Sequence, residues 1–172
     1  MSFLARDWWY YPFPFKDCLE PWIPSKVSFF TWEACWGKVL TLDQLQKRGW
    51  TLVNRYALCK ELETIDHILL HCDKTRVLWQ LVFSSFGIQW VIFEMIRETL
   101  LGWPNSFVGR RRVKAWKVAP LCIFWTISKE RNHRCFENGE LSDQRIKNIF
   151  LSNFSLWVKG YIAEVICLWW NS

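Results

Sequence analysis

The stretch VKAWKVAPLCIFWTI, residues 113–127, decides the fold class of this 172-residue chain. Its apolar residues recur at intervals of three to five, which indicates the buried face of a long helix rather than the alternation of a strand. Pro120 lies inside the stretch, and because proline has no backbone N–H we expect it to kink or divide the helix. The longest apolar run, residues 118–127, is well below the roughly 18 residues that span a bilayer, so no transmembrane segment is expected.

Helical patterns also occur on both sides of this stretch. A first helix is expected to begin near Ser25, with Phe29, Trp32, Trp36 and Val39 on its inner face and Ala34 and Lys38 on its outer face. A capping box at residues 41–44, followed by Gly49, predicts a short second helix. Asp73 and Gly87 bound another helix, and Ser142 begins the last one.

These elements predict a mostly α protein: a small helical domain with a loop–helix segment, followed by two long C-terminal helices. Residues 1–24 are rich in aromatic residues and proline and are expected to form an irregular lead-in. Residues 25–101 form the first helical domain, and a turn signal at Gly102–Asn105 separates it from a basic and aromatic helical extension, residues 102–172.

The net charge of +6 is concentrated in one part of the chain. The candidate nucleic-acid-binding residues in this basic stretch are Arg110, Arg111, Arg112, Lys114, Lys117, Lys129, Arg131 and Arg134. Such charges neutralise phosphates, and Trp116 between them is a candidate for stacking on an unpaired base. The same charges are equally expected on the solvated side of an amphipathic helix.

Most of the fourteen tryptophans are expected in the core rather than at a binding surface. Those on apolar helical faces are Trp32, Trp36, Trp79, Trp116, Trp125 and Trp157. The tryptophans near the two ends, Trp8, Trp9, Trp169 and Trp170, are expected to be exposed.

Cysteine and histidine gather between residues 59 and 72. The chain has seven cysteines, an odd number, and no secretory signal is recognised, so we expect free thiols in a nuclear or cytoplasmic protein that is not secreted. Cys59, His67 and Cys72 are ligand types that suit Zn²⁺, and a helical turn ending at Cys72 would present two of them to one ion. The alternative is that both cysteines are buried as small apolar residues and His67 packs beside Thr64.

Several runs of residues carry a family resemblance. They are PSKVSFFTWE (24–33), TLDQLQKRGW (41–50), NRYALC (54–59), ETIDHILLHC (63–72), RVLW (76–79), FWTI (124–127) and KERN (129–132). With them, the chain from about residue 13 to 159 resembles the zinc-binding region that follows the reverse transcriptase in plant non-LTR, LINE-type retrotransposon polyproteins.

The resemblance implies a Cys-x2-Cys and His-x4-Cys ligand set, which assigns Cys59, His67 and Cys72 to zinc in a knuckle-like segment. Tyr56 stands where the family has its first cysteine. A phenol with a pKa near about 10 replaces a thiolate poorly, so we expect zinc binding to be weak or lost unless His71 or water completes the shell.

Enzymatic motifs are missing from the sequence: it has no GxSxG, no P-loop and no adjacent carboxylates that would hold two metal ions. We therefore expect a non-catalytic module that binds RNA or DNA and takes no small-molecule substrate. The alternative is a metal-free helical remnant that serves as an interaction or structural element without a selected activity.

Overall fold

The computed structural model describes residues 23–53, 59, 61–103, 108–109, 112–137 and 139–170, with side chains as far as residue 160. The helices are α1 (Ser25–Cys35), α2 (Leu42–Lys47), a π-helical turn (His67–His71), α3 (Asp73–Phe86), α4 (Ile96–Gly102), α5 (Val113–Glu137) and α6 (Asp143–Trp170). No strand occurs in these ranges. The prediction of a mostly α fold with two long C-terminal helices is thus confirmed. Most of the predicted lead-in and the side chains of the four terminal tryptophans lie outside the described residues.

Helix α1 buries a different face from the one predicted. Val27, Thr31 and Ala34 are buried, whereas Phe29 is 50% exposed and stacks on Trp32 with ring centroids 6.1 Å apart. The prediction that put Phe29 and Trp32 inside and Ala34 outside is therefore wrong. The Phe29 and Trp32 rings pack on each other at the surface. The smaller buried residues, Val27, Thr31 and Ala34, let α1 pack closely on α5.

Helix α2 is capped by a distant residue rather than by its own capping box. The Leu42 N–H donates to Glu63 Oε1 at 3.1 Å, and the Asp43 N–H donates to the Glu63 carbonyl oxygen at 3.4 Å. The Thr41 hydroxyl donates to the Asp43 carboxylate instead of receiving a backbone N–H. The capping-box prediction is wrong, while Gly49 follows the helix end at a φ of 91° as expected.

Helix α3 begins and ends as the sequence predicts, and α6 begins as predicted but continues to Trp170, through the end that was expected to be irregular. Gly87 follows α3 in the left-handed conformation, with a φ of 67°, and its N–H donates to the Ser84 carbonyl. Ser142 precedes α6, and its hydroxyl accepts the Arg145 N–H at 3.4 Å. Leu78 and Phe150 are among the core residues that these two helices contribute.

Helix α5 continues through Pro120, so the division predicted there does not occur. Pro120 cannot donate to the carbonyl of Trp116, four residues earlier. The indole N–H of Trp103 donates to that carbonyl at 2.9 Å, and the Trp116 indole donates back to the Trp103 carbonyl at 3.1 Å. The two rings stack with centroids 4.0 Å apart, which fastens the C-terminal end of α4 to α5.

One hydrophobic core contains residues from both predicted segments. Helix α5 packs against α1, α3, α6 and the π-turn, so the basic extension covers the same core as the first helices. The division of the chain at residues 101 and 102 stays a prediction. Within the described residues, no helix combines the length and the apolar character that a membrane span requires.

Candidate metal centre

The π-turn, His67–His71, sets the relative placement of two candidate ligands. The Cys72 N–H donates to the His67 carbonyl at 2.7 Å, a bond between residues five apart that matches the His-x4-Cys spacing. Ile68, Leu69 and Leu70, between them, are buried in the core. The turn therefore sends its apolar residues inward and leaves His67 and Cys72 at its two ends.

Two side chains of α3 donate hydrogen bonds to carbonyl groups of this turn. The Thr75 hydroxyl donates to the Ile68 carbonyl at 2.6 Å, and the Trp79 indole donates to the Leu69 carbonyl at 3.0 Å. Both donors are completely buried, so these bonds are shielded from water. At the start of the turn the His67 N–H donates to the Thr64 hydroxyl at 3.2 Å.

Cys59, His67 and Cys72 converge in space. Their ligand atoms all lie within 4.8 Å of one another, and Cys59 Sγ is 3.0 Å from His67 Nε2. Cys72 is buried, while the other two are half-buried. The structure thus brings together three soft donors that are separated by up to thirteen residues in the sequence.

Burial controls the protonation of two of these groups. It raises the pKa of the Cys72 thiol to about 11, with the neighbouring Cys59 adding to the effect against backbone N–H groups that lower it. It also lowers the pKa of the His67 imidazole below its ordinary value. At neutral pH, therefore, the His67 imidazole is uncharged and has a nitrogen lone pair available for a metal ion. The Cys72 thiol keeps its proton until a cation displaces it.

The donor set fits a zinc ion in chemistry and in spacing. Two thiolates on one tetrahedral zinc lie about 3.8 Å apart, because each Zn–S bond is about 2.3 Å long. The three ligand atoms lie within 4.8 Å of one another, which is the scale of separation that one shared ion requires. Two sulfurs and one imidazole nitrogen are also the ligand types that select zinc over oxygen-preferring cations.

The fourth ligand position is not supplied by the residues that the structure describes around this group. Tyr56 lies outside the described residues. His71, the sequence-based candidate, is exposed and outside the group of three, and its Nε2 is 3.0 Å from the Glu94 carbonyl oxygen.

Glu63 is a buried residue near the site that sequence reasoning missed. It is 1% exposed, and its Oε1 accepts a hydrogen bond from Arg131 Nη2 at 2.5 Å in addition to the Leu42 N–H. Glu63 thereby connects the segment before the π-turn to α2 and α5. Its partner on α5 is 68 residues away, so no local sequence signal could have identified it.

The residues of the basic stretch differ in their surroundings. Arg131 pairs with Glu63, and Arg134 pairs with Glu130 at 2.6 Å and with Glu140 at 3.0 Å. Arg112, Lys114 and Lys129 are exposed, Lys117 is half-buried, and Arg110 and Arg111 lie outside the described residues. Trp116 is buried against Trp103, so its ring faces are not available to a base.

Comparison with known proteins identifies one family. Residues 11–79 match the family model described as zinc-binding in reverse transcriptase. No curated protein and no solved structure matches the chain. The matched stretch contains all three converging donors. Over this stretch the finding agrees with the resemblance seen in the sequence: residues 11–79 are similar to the zinc-binding domain of reverse transcriptases.

Proposed function

We propose that this chain is a non-catalytic module, derived from a plant LINE-type retrotransposon polyprotein, that holds zinc through Cys59, His67 and Cys72 and binds nucleic acid. The observation that carries the proposal is the approach of the three donor atoms to within 4.8 Å of one another inside the matched stretch. The matched family is a zinc-binding domain, distinct from the catalytic part of a reverse transcriptase. When bound, zinc would join Cys59 to the π-turn.

Zinc stoichiometry and affinity test the metal part of the proposal. Purified protein is equilibrated with zinc against a chelator of known affinity, and bound metal is measured by mass spectrometry. We expect one weakly bound zinc per chain and at least roughly tenfold tighter binding in Tyr56→Cys, which restores four ligands. Cobalt substitution gives an independent readout, since thiolate-to-cobalt charge-transfer absorption appears only with cysteine ligands and grows with their number.

Matched cysteine variants separate ligation from general thiol chemistry. Cys59→Ser should abolish binding, whereas Cys135→Ser, which removes an exposed thiol on α5, should leave it unchanged. Equal effects of the two variants, or no zinc in both the wild type and Tyr56→Cys, would refute the proposed ligand set.

Salt dependence tests the nucleic-acid part of the proposal. Its support is the excess of basic residues on α5 and directly before it, of which Arg112, Lys114 and Lys129 are exposed. Contacts to phosphates release counterions, so RNA or DNA affinity should fall steeply between roughly 50 and 200 mM salt. A flat response would contradict binding through phosphates.

A second candidate function is the metal-free interaction remnant. It is favoured by the 3.0 Å contact between Cys59 Sγ and His67 Nε2, which gives both groups a hydrogen-bond partner without an ion. In that case the wild type takes up no zinc at any concentration tested, while Tyr56→Cys takes up one equivalent.

A further inference from the structure

Lysine side chains lie over two tryptophan rings at the surface formed by α1 and α5. Lys26 of α1 and Lys129 of α5 both approach the Trp125 ring, with Nζ at 5.4 and 5.0 Å from the centroid. Beyond the end of α1, Lys38 Nζ lies 4.9 Å from the centroid of the Trp32 ring. We call these five residues the lysine–tryptophan face.

Phe29 joins the two parts of this face. It lies three residues from both Lys26 and Trp32, so it occupies the middle of the outer side of α1. Its ring is half exposed and stacks on Trp32 with an interplanar angle of 22°. An exposed aromatic surface is therefore present on α1, on the side opposite the buried residues Val27 and Thr31.

The face carries three positive charges, those of Lys26, Lys38 and Lys129. One acid, Glu33, lies between Lys26 and Lys38 in the sequence. Burial raises the pKa of the Glu33 carboxyl group, and the nearby Lys38 partly offsets this. None of Lys26, Lys38 and Lys129 forms an ion pair with a described carboxylate. These three ammonium groups can therefore pair with the phosphates of an anionic partner.

We propose that the lysine–tryptophan face, with Phe29, binds single-stranded nucleic acid. The half-exposed Phe29 ring beside the three ammonium groups matches the two parts of an unpaired nucleotide, because a flat base stacks on a ring and the adjoining phosphate pairs with a cation. A duplex presents its phosphates but keeps its bases stacked, so it satisfies only the lysines. An acidic peptide also satisfies only the lysines, because its carboxylates have no base beside them to stack on Phe29. The inference rests on the nucleic-acid binding proposed above and assigns it a surface and a class of ligand.

Binding is measured by fluorescence anisotropy with labelled 20-nucleotide oligo-U, oligo-dT and a duplex of the same length, and with polyglutamate as an unlabelled competitor. We expect both single strands to bind more tightly than the duplex and polyglutamate to compete weakly. The oligo-U and oligo-dT probes distinguish RNA from DNA at the same face.

Charge variants locate the phosphate contacts. The triple variant Lys26→Gln, Lys38→Gln and Lys129→Gln removes three charges from the face, and each lost contact lowers the salt slope by about 0.7 for a single strand. The slope should thus fall by about 2, with affinity at 0.1 M salt reduced by up to roughly 100-fold. The control variant, Arg48→Gln, Arg76→Gln and Lys159→Gln, removes the same charge from exposed sites elsewhere and should keep the slope.

Aromatic variants locate the stacking contact. Phe29→Leu should weaken single-strand binding at least about fivefold and leave duplex binding unchanged. Phe136→Leu makes the same change at a site that is 79% exposed near the C-terminal end of α5, and it should bind as the wild type does. Thermal unfolding of each variant establishes that the fold is retained, since both phenylalanines lie at the surface.

The outcomes separate this inference from the proposed function. Salt-dependent binding that is unaffected by Phe29→Leu and by the lysine triple variant would overturn the assigned face and leave nucleic-acid binding standing. Equal affinity for the duplex, or full displacement by polyglutamate, would overturn the single-strand assignment. No binding of any nucleic acid at roughly 50 mM salt would overturn both this inference and the nucleic-acid part of the proposed function.

Discussion

Replacing Trp103 by phenylalanine tests how the chain tolerates a proline inside its longest core helix. Trp103 and Trp116 are 0% and 1% exposed, and each indole donates to the carbonyl of the other residue. Residue 120 is proline and has no N–H to donate to the Trp116 carbonyl, so that carbonyl accepts the Trp103 indole N–H instead. Trp103→Phe removes this donor. An unsatisfied buried carbonyl costs about 1–3 kcal/mol, and the lost ring volume adds to this. We expect a loss of about 2–4 kcal/mol in the free energy of unfolding.

Pro120→Ala supplies the second half of a double-mutant cycle. Alanine restores a backbone N–H that can donate to the Trp116 carbonyl, so Trp103→Phe should cost about 1–2 kcal/mol less in the Pro120→Ala background. Urea unfolding of the four proteins, followed by far-UV circular dichroism, gives the coupling free energy. Trp79→Phe is the matched control, since Trp79 is equally buried but donates to the Leu69 carbonyl.

Equal costs of Trp103→Phe in the wild-type and Pro120→Ala backgrounds would refute the reasoning. They would mean that the indole bond does not replace the missing helix bond. A coupling of the same size for Trp79→Phe would likewise refute it, because that residue has no contact with the Trp116 carbonyl in the described hydrogen-bond network.

Three further outcomes are expected. Glu63→Gln should lower the free energy of unfolding by about 3 kcal/mol, because it leaves the charge of Arg131 without its buried partner; chemical denaturation measures this. Burial raises the pKa of the Cys35 and Cys122 thiols to about 12 from 9.0. The unfolded chain therefore releases these protons first, so stability is complete below pH 9.0 and falls as pH rises towards 12, by about 1.4 kcal/mol per thiol at pH 10; Cys122→Ala should flatten this decline. With a thiol reagent at neutral pH, the exposed Cys135 should react well before either buried cysteine.

Local sequence signals were sufficient for the helix boundaries that depend on local chemistry. Gly87 ends α3 because a left-handed residue terminates a helix whatever surrounds it, and Ser142 precedes α6 for an equally local reason. Helix α4, Ile96–Gly102, has no counterpart among the predicted helices. Its first N–H is bound by Asp66 Oδ1 at 2.9 Å, a partner 30 residues away. Such a cap cannot be recognised from a short window of sequence.

Apolar periodicity failed at α1 because it does not distinguish an inner from an outer aromatic surface. Phe29 and Trp32 have the spacing of core residues, yet the buried side contains Thr31, whose hydroxyl donates to the Val27 carbonyl at 2.9 Å. That bond removes the cost of burying a polar side chain. The periodicity argument treats threonine as a surface residue and therefore assigns the wrong side.

The candidate metal site was predictable in part. The interval between His67 and Cys72 indicates a turn that presents both residues, and the π-turn has that form. Their convergence with Cys59 was implied by the family resemblance, because its position depends on how the chain returns to the turn. Glu63, which ties that segment to α2 and α5, could not be found without the three-dimensional contacts.

The supports of the π-turn give a physical reason why the fold does not depend on the fourth zinc ligand that the family resemblance expects at position 56. In small zinc fingers the metal supplies the folding free energy, so losing a ligand unfolds the domain. Here His67 and Cys72 are placed by three buried apolar residues between them and by two buried hydrogen bonds from α3, none of which involves an ion. The core packing and these hydrogen bonds form the turn without an ion, and zinc would only link Cys59 to it. A weaker site therefore lowers metal affinity without removing the fold, and the Tyr56→Cys variant should gain zinc affinity with only a small change in stability measured without metal.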